Sequence, residues 1–309
     1  MNSSNTYVLP VFPTGTGLGN RLFHWCDAKI YSYLTKSNFI APLWCRPSLG
    51  KYIRGLRKGR IERTSLLEYR GAFRRLPQDF SYLNGIRRTL LSERICLSRS
   101  KLSSICHSPR SRLILFDKSS YHFNDYHAYR QRLKDDLISS IKPELVNSSL
   151  KSDHSYIGIH IRMGDGFKPP EPGANGFVRT GWLQQTPISW FQETLQLVRD
   201  VTGVNYKAYV ISDGSNEQLK SLLAEDNVYR FESRNPVTDL LSLSNASVIL
   251  GSGSSSFSAF AAFLGSAHSI TAPGHPFSNR GLHSSNCQII TSLNPREDNA
   301  KLQLMQLSF

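Results

Sequence analysis

From residue 155 onward, short apolar runs rich in β-branched and aromatic residues alternate with stretches whose apolar positions recur at helical spacing. The runs SYIGIHIR (155–162), KAYVISD (207–213), VYRFE (228–232), ASVIL (246–250) and AHSIT (267–271) read as strands. Between them, 187–202, 215–225, 236–244 and 255–265 read as helices. Pro187 and Pro236 fall in first helical turns, where a missing N–H costs nothing. Strands that alternate with helices in this way predict βαβ units on a parallel sheet. The chain opens on the same pattern, with a strand at 6–12 (TYVLPVF), the loop GTGLGN (15–20) and a helix over about 20–36. The segment 42–112 is punctuated by Gly and Pro, and short helices are expected in it at 61–76 and 86–98. RLILF (112–116) is a further strand, and an amphipathic helix over 126–141 runs into Lys142-Pro143. The polar stretch NSSLKSDHS (147–155) follows, which places a domain boundary so that 1–150 and 151–309 form two α/β domains.

Charge is distributed very unevenly along this pattern. The 309 residues hold 37 Lys and Arg against 23 Asp and Glu, a formal net charge of +14. Residues 1–150 carry 25 basic and 10 acidic side chains, residues 151–309 carry 12 and 13, and 46–112 alone carries 17 and 4. The basic character therefore belongs to the first half, and an anionic partner is expected there. A membrane surface, an acidic glycan and a solvated face without a partner all fit that excess. No run of about 18 apolar residues is present, and MNSSNTYVLPVF does not show the pattern of a secretory signal. Five cysteines without a CxxC spacing read as reduced thiols. The expected location is cytoplasmic, with peripheral contact on the inner face of a membrane.

Several chemistries drop out. HExxH, Asp-x-Asp, GxSxG and GxxxxGK[ST] are all missing, which removes the usual zinc protease, metal–diphosphate, serine hydrolase and P-loop ATPase signatures. GTGLGN lies between a strand and a helix, where backbone N–H groups can meet an anion, but 36–41 reads KSNFIA and offers no acid for a dinucleotide ribose. SYIGIHIRMGDGF is more informative, since a buried strand ends in His160, Arg162 and Asp165, at the sheet edge where ligands of open α/β sheets bind. Along an extended strand His160 and Arg162 share a face, and a guanidinium matches phosphate bidentately. In 239–265 the strand SVIL empties into GSGSSS and then an apolar helix, so hydroxyls and free N–H groups crowd a helix N-terminus. No zinc finger or RNP pattern accompanies the basic segment, and nucleic acid is not expected as a partner.

The order GLGNRLF (17–23), HIRMGD (160–165), VISD (210–213) and DLLSLSNASVILGSGSSSFSAF (239–260) resembles the bacterial alpha-1,2-fucosyltransferase family. It is similar, at greater distance, to the alpha-1,6- and protein O-fucosyltransferases. The resemblance implies a GT-B type fold of two facing Rossmann-like domains with parallel sheets. It also implies inverting transfer of fucose from GDP-fucose to a glycan hydroxyl, without a metal or other cofactor. An alpha-1,2 linkage on a surface polysaccharide or lipid-linked oligosaccharide is the expected product. The same likeness puts Arg162 on the β-phosphate, His160 beside the nucleotide and Asp239 on guanine. Ser255, Ser256 and Phe257, with Ser258, fall at the diphosphate, and Gly17, Gly19 and Asn20 fall at the donor. Glu171 and Asp165 are the candidates for the base, with Asp165 also able to hold Arg162; the proton can instead leave with the GDP phosphate. The chain departs from the motif at Met163, where a second arginine is usual, and at Ala259 and Phe260, where tryptophans often stand. A different nucleotide-sugar donor, or a non-catalytic basic binding protein for nucleic acid or anionic polysaccharide, are the competing readings.

Overall fold

The computed structural model describes residues 6–13, 15–45, 69–90, 92–96, 111–119, 121–151, 155–164, 167–169, 184–233, 235–253, 255–265, 267–273, 282, 289–290 and 293–306. The chain divides into two compact units, one formed by Met1–Tyr121 with Ala128–Asn147 and the other by His122–His127 with Ser148–Phe309. His122–His127 goes with the second unit because Phe123 and Tyr126 bury their rings against Phe263, with Phe123 also 5.1 Å from Phe260.

The first unit holds strand β1 (Thr6–Pro10), helix α1 (Leu18–Thr35), strand β2 (Asn38–Phe39), helix α2 (Tyr82–Arg88), strands β3 (Glu93–Cys96) and β4 (Arg112–Phe116), and helices α3 (Arg130–Ser140) and α4 (Pro143–Asn147). Its four strands are parallel in the order β2-β1-β4-β3. The expected helices at 61–76 and 86–98 are corrected here. Residues 61–68, 91 and 97–98 lie outside the described residues, 69–76 form turns and a bridge from Phe73 to Ile141, and the described residues of 86–98 divide between the end of α2, a turn and β3. At the end of α2 the C-cap Thr89 donates its N–H to the carbonyls of Gly85 and Ile86. The chain then pairs β3 against β4.

In the second unit come β5 (Ile157–Ile161), α5 (Ile188–Thr202), β6 (Ala208–Ser212), α6 (Asn216–Leu223), β7 (Val228–Arg230), α7 (Pro236–Ser244), β8 (Val248–Gly251), α8 (Ser256–Leu264), β9 (His268–Thr271), β10 (Ile289–Ile290) and α9 (Ala300–Met305). All six strands are parallel in the order β10-β9-β8-β5-β6-β7. The chain therefore builds outward from β5 to β7, returns, and builds outward again from β8. A sheet whose order reverses in this way leaves a crevice outside the carboxyl ends of its two central strands, here β5 and β8.

Strand alternation sorts β5 into two faces. Ile157, Ile159 and Ile161 join Trp190, Phe191, Leu195 and Val198 of α5 in the main core. Trp190 buries completely and donates its indole N–H to the Leu293 carbonyl at 2.8 Å. Gly158 and His160 take the opposite face. A Cβ at Gly158 would lie 2.9 Å from Leu243 Cδ2, so glycine is what lets α7 cross this close.

The contact between α7 and α8 has a sharp test. A Cβ at Gly265, which ends α8, would lie 2.0 Å from the Ser244 carbonyl oxygen at the end of α7. That neighbour is backbone and cannot rotate away. Gly265→Ala should destabilise the protein by about 3 kcal/mol in urea denaturation, and an unchanged midpoint would contradict this helix pairing.

Candidate functional site

The site is assembled at the reversal point of the second sheet. His160 is the fourth residue of β5 and only 4% exposed, with its ring 5.0 Å from that of Phe257 and its Nδ1 3.4 Å from Ser255 Oγ. Burial, helped by the nearby Arg162 charge, pushes its pKa down to about 3. The imidazole is therefore a neutral hydrogen-bonding group at physiological pH, and Arg162 brings positive charge to the end of β5.

Arg162 stands just past β5 and is 41% exposed, its Nη1 3.0 Å from Asp213 Oδ2 and its guanidinium 5.3 Å from the Phe167 ring centre. The shared face expected for His160 and Arg162 thus yields two side chains with different partners. Register explains Asp213: β5 pairs with β6 so that Ile161 faces Ser212, which brings residue 162 beside residue 213. Asp213 also accepts the Met163 N–H at 2.7 Å, and a Cβ at Gly164 would meet its Oδ2 at 2.4 Å. The Met163 side chain packs against the main core on the Ile161 face. A second arginine at that position would thus point into apolar packing. The described partner of Arg162 is Asp213; Asp165 and Glu171 lie outside the described residues.

Across the crevice, β8 ends at Gly251 and the chain reaches Ser255, the N-cap of α8. Ser255 Oγ accepts the Ser258 N–H at 3.5 Å, as its type favours. Ser252 joins the two strand ends: its N–H donates to the His160 carbonyl at 2.8 Å, and its Oγ accepts the Arg162 N–H at 2.9 Å. The Gly253 N–H donates to Thr186 Oγ1 at 3.3 Å. Ser256 opens α8 and is half-buried, as is Phe257. Sequence reasoning missed Asp213, Ser252 and Thr186 as parts of this edge, although VISD at the end of a neighbouring strand was a usable signal for the first.

Asp239 lies in the first turn of α7, behind the Asn235 cap that accepts the Val237 N–H at 2.9 Å. That helix runs back from the carboxyl end of β7, so its first turn sits at the same edge of the sheet as Ser255. Burial raises the Asp239 pKa to about 6, against the pull of the Ser233 hydroxyl that donates to Oδ1 at 2.6 Å.

Gly17, Gly19 and Asn20 belong to the first unit. Gly17 is the exposed N-cap of α1, without a side-chain capping bond, and a Cβ there would meet nothing within 4 Å. Gly19 is buried and Asn20 half-buried in the first turn. The loop before them is held by Thr16, whose hydroxyl donates to the Pro13 carbonyl at 2.8 Å and whose carbonyl accepts Arg21 Nε–H at 3.1 Å.

Fold and crevice define an α/β protein of two parallel sheets, the second wound in Rossmann order with polar groups gathered at its reversal point. No family model matches the sequence, and no curated protein matches it. Among solved structures it is similar to NodZ alpha-1,6-fucosyltransferase soaked with GDP-fucose, at 12% identity over 84% of this chain and 92% of that one, with a TM-score of 0.49. It is also similar to POFUT1 in complex with GDP-fucose (13% identity, 93% and 97% covered, TM-score 0.42). A third is an Arabidopsis thaliana FUT1 mutant in complex with GDP (13%, 92% and 73%, TM-score 0.45). Identities this low and TM-scores below 0.5 leave the functional case to the residues themselves.

The raised pKa of Asp239 has a measurable consequence for stability. A folded-state pKa of about 6 against an ordinary 3.8 means the folded protein binds the proton more tightly than the unfolded chain does. The ionised carboxylate therefore costs stability, nothing near pH 3, increasingly between about 4 and 6, and fully above that. Asp239→Asn keeps an acceptor for Ser233 and should stabilise the protein at pH 7 by up to about 3 kcal/mol and leave it unchanged near pH 3. A pH-independent difference in melting would remove the burial argument.

Proposed function

We propose that the chain is an inverting, metal-independent glycosyltransferase that moves fucose from GDP-fucose to a hydroxyl of a glycan acceptor. An alpha-1,2 linkage on a surface polysaccharide or lipid-linked oligosaccharide is the product we favour. The observation that carries the reading is the reversal point itself, where the Arg162 guanidinium and the Ser255-capped N-terminus of α8 flank one crevice. A nucleoside diphosphate suits those groups. The guanidinium offers a planar fork for phosphate oxygens, and the first-turn N–H groups of α8 offer dipolar donors. Asp239 at the same edge is the carboxylate for guanine, which presents two adjacent N–H donors that an ionised carboxylate can accept together.

On this reading the two α/β units are the halves of a GT-B architecture, the first serving the acceptor and the second the nucleotide sugar. As the acceptor hydroxyl attacks C1 of fucose, the C1–O bond to the β-phosphate breaks and negative charge grows on the departing GDP. Arg162, drawn from its exposed pairing with Asp213, and the α8 N–H groups would meet that charge, and His160 remains a neutral group beside the nucleotide. The acceptor proton passes to Asp165, to Glu171 or to the leaving phosphate. Gly17 leaves exposed backbone at the start of α1, and the assignment of Gly17, Gly19 and Asn20 to the donor rests on the sequence resemblance.

Donor identity is tested by melting the protein with a nucleotide panel. GDP and GDP-fucose should raise the melting temperature at concentrations where UDP and ADP have no effect, and Asp239→Asn should erase the difference. Because the carboxylate form accepts guanine's donors, wild-type GDP affinity should fall as pH drops through about 6. An equal response to every diphosphate would rule out the guanine assignment.

Turnover is tested separately. Fucose release or transfer from GDP-fucose should persist in excess EDTA. Arg162→Lys, which retains charge and loses the fork, should reduce it by about tenfold or more with melting unchanged. Normal activity in that variant would remove Arg162 from the leaving-group role, and an absolute need for Mn²⁺ or Mg²⁺ would overturn the metal-independent mechanism.

A further inference from the structure

Helix α2 of the first unit is docked rigidly. Gly85 is buried, and a Cβ on it would lie 2.6 Å from the Ile40 side chain. Ser81 caps the start by accepting the Asn84 N–H at 3.3 Å, and Thr89 closes the end. The face this leaves outward is unusual in composition. Leu83 is 79% exposed and Leu90, one turn beyond Arg87, is 63% exposed, with Arg87 and Arg88 exposed between them. Leu83 and Arg87, four residues apart, share one face of the helix, and Leu90 stands in the turn just past its C-cap Thr89.

No acidic residue occurs between Asp79 and Glu93. Both of those carboxylates are engaged elsewhere, Asp79 buried on Lys29 at 2.9 Å and Glu93 on Arg112 at 3.3 Å. Among the described residues neither Arg87 nor Arg88 forms an ion pair; Arg88 lies over the Phe80 ring at 5.1 Å with its charge left outward. The edge strand β3 adds the exposed Arg94. Two exposed leucines set among arginines that form no ion pair with the described residues match an anionic bilayer, whose headgroups take guanidinium and whose acyl boundary takes short apolar side chains. A soluble polyanion would use the arginines and leave the leucines in water.

We infer that the exposed surface of α2 and the turn after it, with Leu83 and Leu90 on either side of Arg87 and Arg88, docks the protein on an anionic lipid surface. The assignment is independent of the donor reading, since the residues involved have no part in nucleotide binding.

The full chain is co-sedimented with vesicles of phosphatidylcholine alone and of phosphatidylcholine mixed with phosphatidylglycerol, at low and high salt. Wild type should bind the mixed vesicles and be released by salt. The Leu83→Asn/Leu90→Asn and Arg87→Gln/Arg88→Gln pairs should each lower the bound fraction about fivefold or more, with melting and GDP response unchanged. Failure to bind mixed vesicles, or binding that either pair leaves intact, would overturn the proposal. So would a loss confined to the arginine pair, which would mark a site for a soluble polyanion such as heparin. A change in lipid-free sedimentation with the leucine pair would instead assign the face to a second copy of the chain and end the membrane assignment.

Discussion

The geometry at the reversal point depends on one serine. Pairing of β5 with β8 runs through His160 opposite Gly251, and Ser252 extends it by one residue: its N–H donates to the His160 carbonyl and its hydroxyl accepts the Arg162 N–H. A strand leaving a sheet exposes a backbone donor that must be satisfied. Here a side-chain oxygen takes the place of the next strand residue, so β5 can release its chain at Arg162 and turn it toward Asp213. Gly251 contributes by its size, since a Cβ there would crowd Ser258 Oγ at 3.1 Å. Helix α8 can therefore begin close to the strand it follows. The donors of the crevice are held in place before any ligand arrives, the condition under which fixed dipoles are effective.

Burial and charge then assign different work to the groups held there. Full burial keeps His160 neutral, whereas Arg162 stays part exposed and pairs with a part-exposed Asp213. Such a pair contributes at most about 1 kcal/mol, so an incoming diphosphate can draw the guanidinium away at small cost. Asp213 keeps its hold on the Met163 N–H meanwhile, and the loop need not reorganise when the ion pair opens. Asp239 sits in the opposite situation. Its burial makes the ionised form costly in the empty protein, and on the proposed reading guanine would relieve that cost by supplying donors. A group that weakens the free fold and is satisfied by a ligand converts folding strain into selectivity for that ligand.

The second unit was legible from pattern because its strands are short apolar runs bounded by helices with recognisable starts; Pro236 opens α7 as expected, whereas Pro187 stands one residue earlier than expected, as the N-cap of α5. The six-strand order was not legible, since β10 is a two-residue strand and periodicity has nothing to measure there. In the first unit, β2 and β3 escaped for a related reason. ERIC alternates poorly and is mostly exposed, because it lies at a sheet edge with one partner. At the site, individual residues were readable where they stand within a motif, as His160 and Arg162 do. Asp213 was not assigned a role, because its contact with Arg162 arises from the register between two strands about fifty residues apart, and register is a tertiary property.

Helix α1 shows why charge read along a sequence is a poor guide to charge on a surface. Its Arg21, His24, Asp27 and Lys29 are all buried, although each would ordinarily be placed on a solvated face. The Lys29 ammonium is held by Asp79 and Asp136, at 2.9 and 3.2 Å, and lies 4.1 Å from the Phe39 ring centre. Tyr33 donates its hydroxyl to the same Asp136 at 2.9 Å. Removing one member of such a buried cluster leaves an uncompensated charge in the interior, which is far more costly than losing a surface pair. One of the four acids of 46–112 is thus committed to the interior, and Glu93 is neutralised by Arg112. Among the described residues, the carboxylates that flank α2 in sequence, Asp79 and Glu93, thus each have a cation of their own away from Arg87 and Arg88.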